Sequence, residues 1–151
     1  MTHNYLASCT FRAMFTVQER GKKRTALAII LFIKPWIATA FPRIIAAYQQ
    51  IVARAHAHSL RVYGATITPY VGSSYYHPGL LSEADRQAVN KWIRTPGNFD
   101  AVIDFDNVIR DPQHPDQLLP AYDCGDHLHP SPAGFKAMAD SIPLSLFSDS
   151  N

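Results

Sequence analysis

Asp126 and His129 stand three positions apart in the run Tyr122-Asp123-Cys124-Gly125-Asp126-His127-Leu128-His129-Pro130-Ser131-Pro132-Ala133-Gly134. A carboxylate and an imidazole so spaced, on a constrained loop entering a helix, can work as a pair. The carboxylate orients the ring and the ring takes a proton as general base. The surrounding residues supply the constraint. Gly125 breaks the chain before Asp126, and Pro130 biases His129 toward an extended conformation. Ser131 can cap a helix with Pro132 in its first turn, and Phe135, Met138, Ala139 and Ile142 carry that helix on at helical spacing.

Other readings of the same residues stand beside this one. A loop rich in Asp and His is often only solvated, and Asp126 also reads as a turn residue. Cys124, Asp126, His127 and His129 are all metal-ligand types. The usual ligand spacings are absent, however, and a His-x-His pair alone is a weak signal, so no metal and no cofactor is assigned.

Gly125-Asp126-His127-Leu128-His129-Pro130, followed by Ala133-Gly134 and a helix, resembles the last conserved block of the SGNH (GDSL) hydrolases. In that family a D-x-x-H motif supplies the Asp and His of a Ser-His-Asp triad. The resemblance therefore implies that Asp126 orients and His129 is the base. It runs over residues 43–147, taking in Arg61-Val62-Tyr63-Gly64-Ala65-Thr66 and Tyr122-Asp123, and is to the bacterial secreted, esterase-like members. It implies an α/β fold of the flavodoxin-like SGNH type, a parallel sheet flanked by helices, here incomplete. The implied chemistry is hydrolysis of carboxylic (acyl or acetyl) esters, on a small molecule or a carbohydrate.

Two of the family's blocks have no counterpart. No Gly-Asp-Ser occurs, the one Gly-Asp pair being Gly125-Asp126, and no asparagine stands in a Gly-x-Asn-Asp context. Those blocks hold the nucleophile and the oxyanion donors, and losing one such donor costs about a hundred- to a thousand-fold in rate. Ser73 and Ser74, after Gly72 on a loop following a strand, are the serines placed to substitute, although they read equally as loop polar residues. The expectation is a weak or inactive hydrolase when the chain is alone. The alternative is a non-catalytic truncated half-domain or remnant that needs a partner chain, or that self-associates through an exposed parallel edge.

At 151 residues, 47% hydrophobic and 17% charged, the chain holds one globular domain with a real core. Cys9 and Cys124 are too few for a disulfide framework. Residues 1–34 carry six Lys and Arg against Glu19, whereas the remainder has eight basic and eleven acidic residues. That split separates a leader, residues 1–40, from a domain, residues 41–151, and does not indicate nucleic-acid binding. The apolar run 25–33 is too short to span a bilayer. Its basic flank imitates a signal peptide, but Lys34 interrupts the approach to a cleavage site, and a buried parallel strand competes. Localisation stays open.

The elements that must position the loop follow in order. Phe41–Ser59 reads as an amphipathic helix with Ile44, Tyr48 and Val52 on one face. Leu60–Thr68 reads as a strand ended by Pro69. A Gly/Pro/Tyr-rich loop, residues 70–81, offers Tyr70, Tyr75 and Tyr76 as lining for a substrate face. Ser82-Glu83-Ala84-Asp85 resembles a capping box opening a helix to Arg94, and Phe99–Phe105 reads as a second strand. Asp106–Tyr122 reads as a polar connection with Arg110, Asp111 and Asp116 at the surface, and the closing helix runs to about Phe147. Strand and helix alternate as in a parallel α/β fold, where sites gather beyond the carboxyl ends of the strands. That places the 70–76 loop, Asp104, Asp106 and the Asp126/His129 loop at one end.

Overall fold

Tyr63, Gly64 and Ala65 pair in parallel register with Ala101, Val102 and Ile103. The rest of the fold packs on the two faces of that pairing. The computed structural model describes Thr25–Ala26 and residues 40–148. Its sheet has the order β1-β2-β3, with β1 at Thr25–Ala26, β2 at Arg61–Ala65 and β3 at Ala101–Ile103. Thr25 and Ala26, at the start of the apolar run, pair in parallel with Arg61 and Val62. The rest of that run and the basic cluster before it lie outside the described residues.

Helices cover both faces. On one, α1 (Ala40–Ala57) and α2 (Leu80–Arg94) bury Tyr48, Val89 and Ile93, with Ile44, Trp92, Phe99 and Val102 packed around them. On the other, α4 (Pro132–Asp140) and the short α3 (Phe105–Ile109) enclose Ala65, Ile103, Ile109, Leu118 and Met138. Val102 and Ile103 serve opposite cores because successive strand side chains alternate between faces. This is the α/β sandwich of parallel strands and helices expected from the sequence. Gly64 sits where Phe99 crosses the sheet, and a Cβ there would run into the Phe99 ring.

Several boundaries differ from the sequence expectation, each for a physical reason. β2 stops at Ala65 because the Asn90 side chain takes over at Ile67, accepting its N–H at 2.7 Å and donating to its carbonyl at 2.8 Å. β3 stops at Ile103 because Asp104 turns to cap α3, accepting the Asn107 N–H at 3.3 Å. That helix opens what was expected to be a polar connection. α2 begins at Leu80 behind Gly79, which offers no side-chain cap, so Ser82 is already helical. Glu83 turns to Arg86 and Gln87 instead of capping. The closing helix ends at Asp140. Pro143 cannot continue it, and Leu144–Phe147 forms a separate 3₁₀ turn.

An ionic network ties the layers beneath the sheet's carboxyl end. Asp106, fully buried, accepts from Arg86 and Arg94, and Arg94 also holds Asp104 through two nitrogens at 2.6 and 2.9 Å. Thr66 bridges the two acids, donating to Asp104 and accepting the Asp106 N–H at 2.9 Å. Burial alone would lift the Asp104 carboxyl, but Arg94 and Thr66 hold it below the usual carboxylate range.

Candidate active site

Residues 123–130 form a closed loop. Asp123 and Pro130 bridge as an antiparallel pair, and the Cys124 N–H donates to the His129 carbonyl at 3.1 Å. Between these ends the chain turns through two left-handed residues, Gly125 at φ +102° and His127 at φ +56°. Gly125 takes that conformation without penalty. His127 is held in it from outside: its N–H donates to Asp123 Oδ1 at 3.1 Å, and Asp123 Oδ2 meets its Nδ1 at 2.7 Å.

Asp126 repeats the pattern one turn later. Its Oδ1 accepts the Leu128 N–H at 3.0 Å and the His129 N–H at 2.8 Å, and its Oδ2 lies 2.6 Å from His129 Nδ1. The Cys124 thiol also donates to Oδ1, at 3.3 Å. An ionised carboxylate only accepts, which assigns the ring proton to Nδ1 and leaves Nε2 with its lone pair. Leu128, buried, pins the middle of the loop to the interior.

The helix that follows fixes the loop's exit. Ser131 caps α4 by accepting the Gly134 N–H at 3.2 Å, with Pro132 in the first turn, as the sequence predicts. The Ser131 N–H donates to the Tyr122 carbonyl at 2.7 Å. A Cβ at Gly134 would stand 2.7 Å from that same carbonyl, so only glycine lets α4 approach so closely.

The electrostatics favour an ionised Asp126. Partial burial works to raise its pKa, but the His129 ring and backbone, the Cys124 thiol and the Leu128 N–H together hold it well below the usual carboxylate range. Across ordinary pH it is a fixed negative charge beside the imidazole.

The loop leaving β2 lies against this turn. A Cβ added at Gly72 would come within 3.2 Å of the His127 side chain, so the 70–76 loop and residues 123–130 meet as expected. The tyrosines there pack mostly on one another: Tyr75 and Tyr76 meet edge to face at 4.8 Å, and Tyr70 donates to the Ser82 carbonyl. Ser73 is buried, its hydroxyl accepting the Tyr75 N–H at 3.3 Å inside the turn. Among the described residues neither Ser73 nor Ser74 hydrogen-bonds His129. Asp104 and Asp106, expected near the site, are engaged by the arginines of α2, and Arg110 lies half-buried beside Asp106 rather than free at the surface. The Asp123–His127 pair was not singled out in the sequence. Its signal was a second carboxylate four residues before a second histidine.

A parallel sheet between helical layers, with a carboxylate–imidazole pair on the loop before the last helix, defines an α/β protein of the SGNH type. The pattern of the GDSL-like Lipase/Acylhydrolase family matches residues 18–137, and the chain belongs to that family. The match takes in residues upstream of Arg43, β1 among them.

Solved structures agree on the fold. A GDSL-like lipase from Bacteroides thetaiotaomicron superimposes with a TM-score of 0.62 at 15% identity, over 80% of this chain and 62% of its own. An acylhydrolase candidate from Bacteroides fragilis gives 0.50 at 19% identity, over 71% of this chain and 51% of its own. The chain thus spans about half to three fifths of the structures it matches. No curated protein matches it. Among the described residues no helix is long and apolar enough to cross a membrane.

Proposed function

We propose that the chain acts in the hydrolysis of carboxylic esters, acyl or acetyl, with Asp126 as the orienting carboxylate and His129 as the general base. The observation that carries the reading is the 2.6 Å contact between Asp126 Oδ2 and His129 Nδ1. It leaves Nε2 as the basic nitrogen, on a ring that is partly open to solvent. In this mechanism Nε2 takes the proton of the attacking hydroxyl or water as the new C–O bond forms. The imidazolium, stabilised by Asp126, returns the proton to the leaving alkoxide as the tetrahedral intermediate collapses.

The nucleophile is the open part. No Gly-Asp-Ser occurs in the sequence, and the Ser73 hydroxyl is committed to its own turn. Water attacking with His129 as base is the route the described residues support, and positioned proton transfer contributes about a hundred- to ten-thousand-fold. A slow esterase is the expected phenotype. The same two observations favour a second reading, in which the chain supplies Asp126 and His129 to a site whose nucleophile comes from a partner chain.

A series of p-nitrophenyl esters from acetate to octanoate, assayed with the purified chain and with His129→Ala, tests the proposal. Turnover that falls along the series and vanishes in the variant supports it. Equal rates for the two proteins would reject it. Turnover by the purified chain separates the two readings, its absence favouring the partner chain. A fluorophosphonate probe then separates the routes, because water attack leaves every serine unlabelled whereas stoichiometric labelling points to a nucleophile within the chain.

A further inference from the structure

The linear spacing of Cys124, Asp126 and His129 matches no ligand template, yet the turn at Gly125 folds the three together. One ligand atom from each lies within 4.8 Å of the other two. On a tetrahedral ion with bonds of about 2.0–2.3 Å, neighbouring ligand atoms stand about 3.3–3.8 Å apart. The Cys124 Sγ to Asp126 Oδ1 distance is already 3.3 Å, and Asp126 Oδ2 to His129 Nδ1 is 2.6 Å. The two distances run to different carboxylate oxygens, and the second is shorter than a ligand edge. Filling the site therefore breaks the Asp126–His129 hydrogen bond and asks for side-chain rotations that bring one carboxylate oxygen between the thiol and the ring.

We propose that Cys124, Asp126 and His129 form a three-ligand site for Zn²⁺ and that a bound ion silences His129 as a base. Three features support the ligand class. A thiolate, an imidazole and a carboxylate together are a donor set suited to this borderline-soft ion. The thiolate and carboxylate charges balance the dication. The Leu128 and His129 N–H groups fix the carboxylate through Oδ1 and leave Oδ2 free of backbone donors, the kind of support that positions metal ligands. Cys124 is exposed, leaving room for water as the fourth ligand.

The proton balance gives the consequence. On binding, the Cys124 thiol releases its proton to solvent. His129 stays neutral but moves its proton from Nδ1 to Nε2 as Nδ1 takes the metal. The nitrogen that would accept a proton from a nucleophile then carries one. Loss of turnover on zinc binding rests on the catalytic reading above. Binding itself does not.

Cobalt(II) titration of the reduced full-length chain tests the site, because a thiolate ligand gives a charge-transfer band in the near ultraviolet. The band should saturate at one ion per chain, yield to Zn²⁺, persist in Cys9→Ser and disappear in Cys124→Ser. His129→Gln should weaken binding by at least about tenfold. No band in the wild type, or an undiminished band in Cys124→Ser, overturns the site. A second measurement needs no variant: zinc should shift the ring resonances of His129 and leave unmoved those of His56, which sits in the last turn of α1 against Asp100, and the reverse overturns it. Cobalt binding through Cys124 in a chain with no ester turnover supports the site and counts against the catalytic reading alone.

Discussion

Asp126 holds His129 twice, by the ring at 2.6 Å through Oδ2 and by the backbone N–H at 2.8 Å through Oδ1. One carboxylate thus sets both the path of the chain and the direction of the imidazole. A ring oriented only by a distant partner keeps the freedom of its own backbone. Here that freedom is removed by the same group.

Asp126→Asn should accordingly act on the loop as well as on the ring. The amide oxygen in the Oδ1 place can still accept both backbone N–H groups, but the NH2 in the Oδ2 place cannot accept the ring proton, and the charge that favours the imidazolium is gone. Amide resonances of residues 123–130 should shift while those of α1 and α2 stay in place. Shifts spread across the whole domain would mean that Asp126 is a folding determinant and not a local one.

Acid should destabilise the domain. Asp126 and Asp104 both have folded pKa values held below the ordinary carboxylate value, in each case by hydrogen-bonded partners that outweigh burial. Groups shifted in this direction contribute stability that is fully present above about pH 5, a unit above the unfolded value, and is lost as pH falls through the folded values. The melting temperature should be flat from neutral pH to about pH 5 and decline below it. Asp126→Asn should lessen the decline, and an identical decline in the variant would remove Asp126 from the account.

Gly134→Ala sets two effects against each other. Alanine favours a helix interior over glycine by about 1 kcal/mol. Its Cβ, however, would meet the Tyr122 carbonyl at 2.7 Å, and backbone does not give way cheaply. Overpacking of this kind costs about 1–3 kcal/mol, so thermal denaturation should show a net loss. A more stable variant would mean that α4 can move away from Tyr122.

Arg86→Met removes one partner of Asp106, whose side chain is fully buried. Breaking a buried ion pair by taking away one member costs about 3–5 kcal/mol, and because Arg94 remains bonded to Asp106 the lower end is expected. Urea denaturation measures it. A change below about 1 kcal/mol would place Arg86 in the weak class of exposed pairs.

Sequence pattern located what short-range chemistry determines. Ser131 with Pro132 announced the start of α4, and Asp126-x-x-His129 announced the pair, because each is set by residues three or four apart. The parallel pairing of Tyr63–Ala65 with Ala101–Ile103 was legible from the alternation of strand and helix. Long-range competition was not. Nothing local says that Asn90 will replace a strand at Ile67, or that Asp106 will be buried between two arginines of α2. The meeting of the 70–76 loop with residues 123–130 was legible from the strand ends they follow, but the particular contact of Gly72 with His127 was not.

The rate of p-nitrophenyl acetate hydrolysis by the wild type, Asp126→Asn and His129→Ala tests the central claim most directly. The wild type should turn over slowly, and His129→Ala should fall to the buffer background. Asp126→Asn should lose at least about tenfold in kcat with little change in KM, because the carboxylate orients the ring without touching substrate and its charge counts most when the imidazole becomes charged in the transition state. A wild-type rate that survives in His129→Ala would contradict the assignment of His129 as the base.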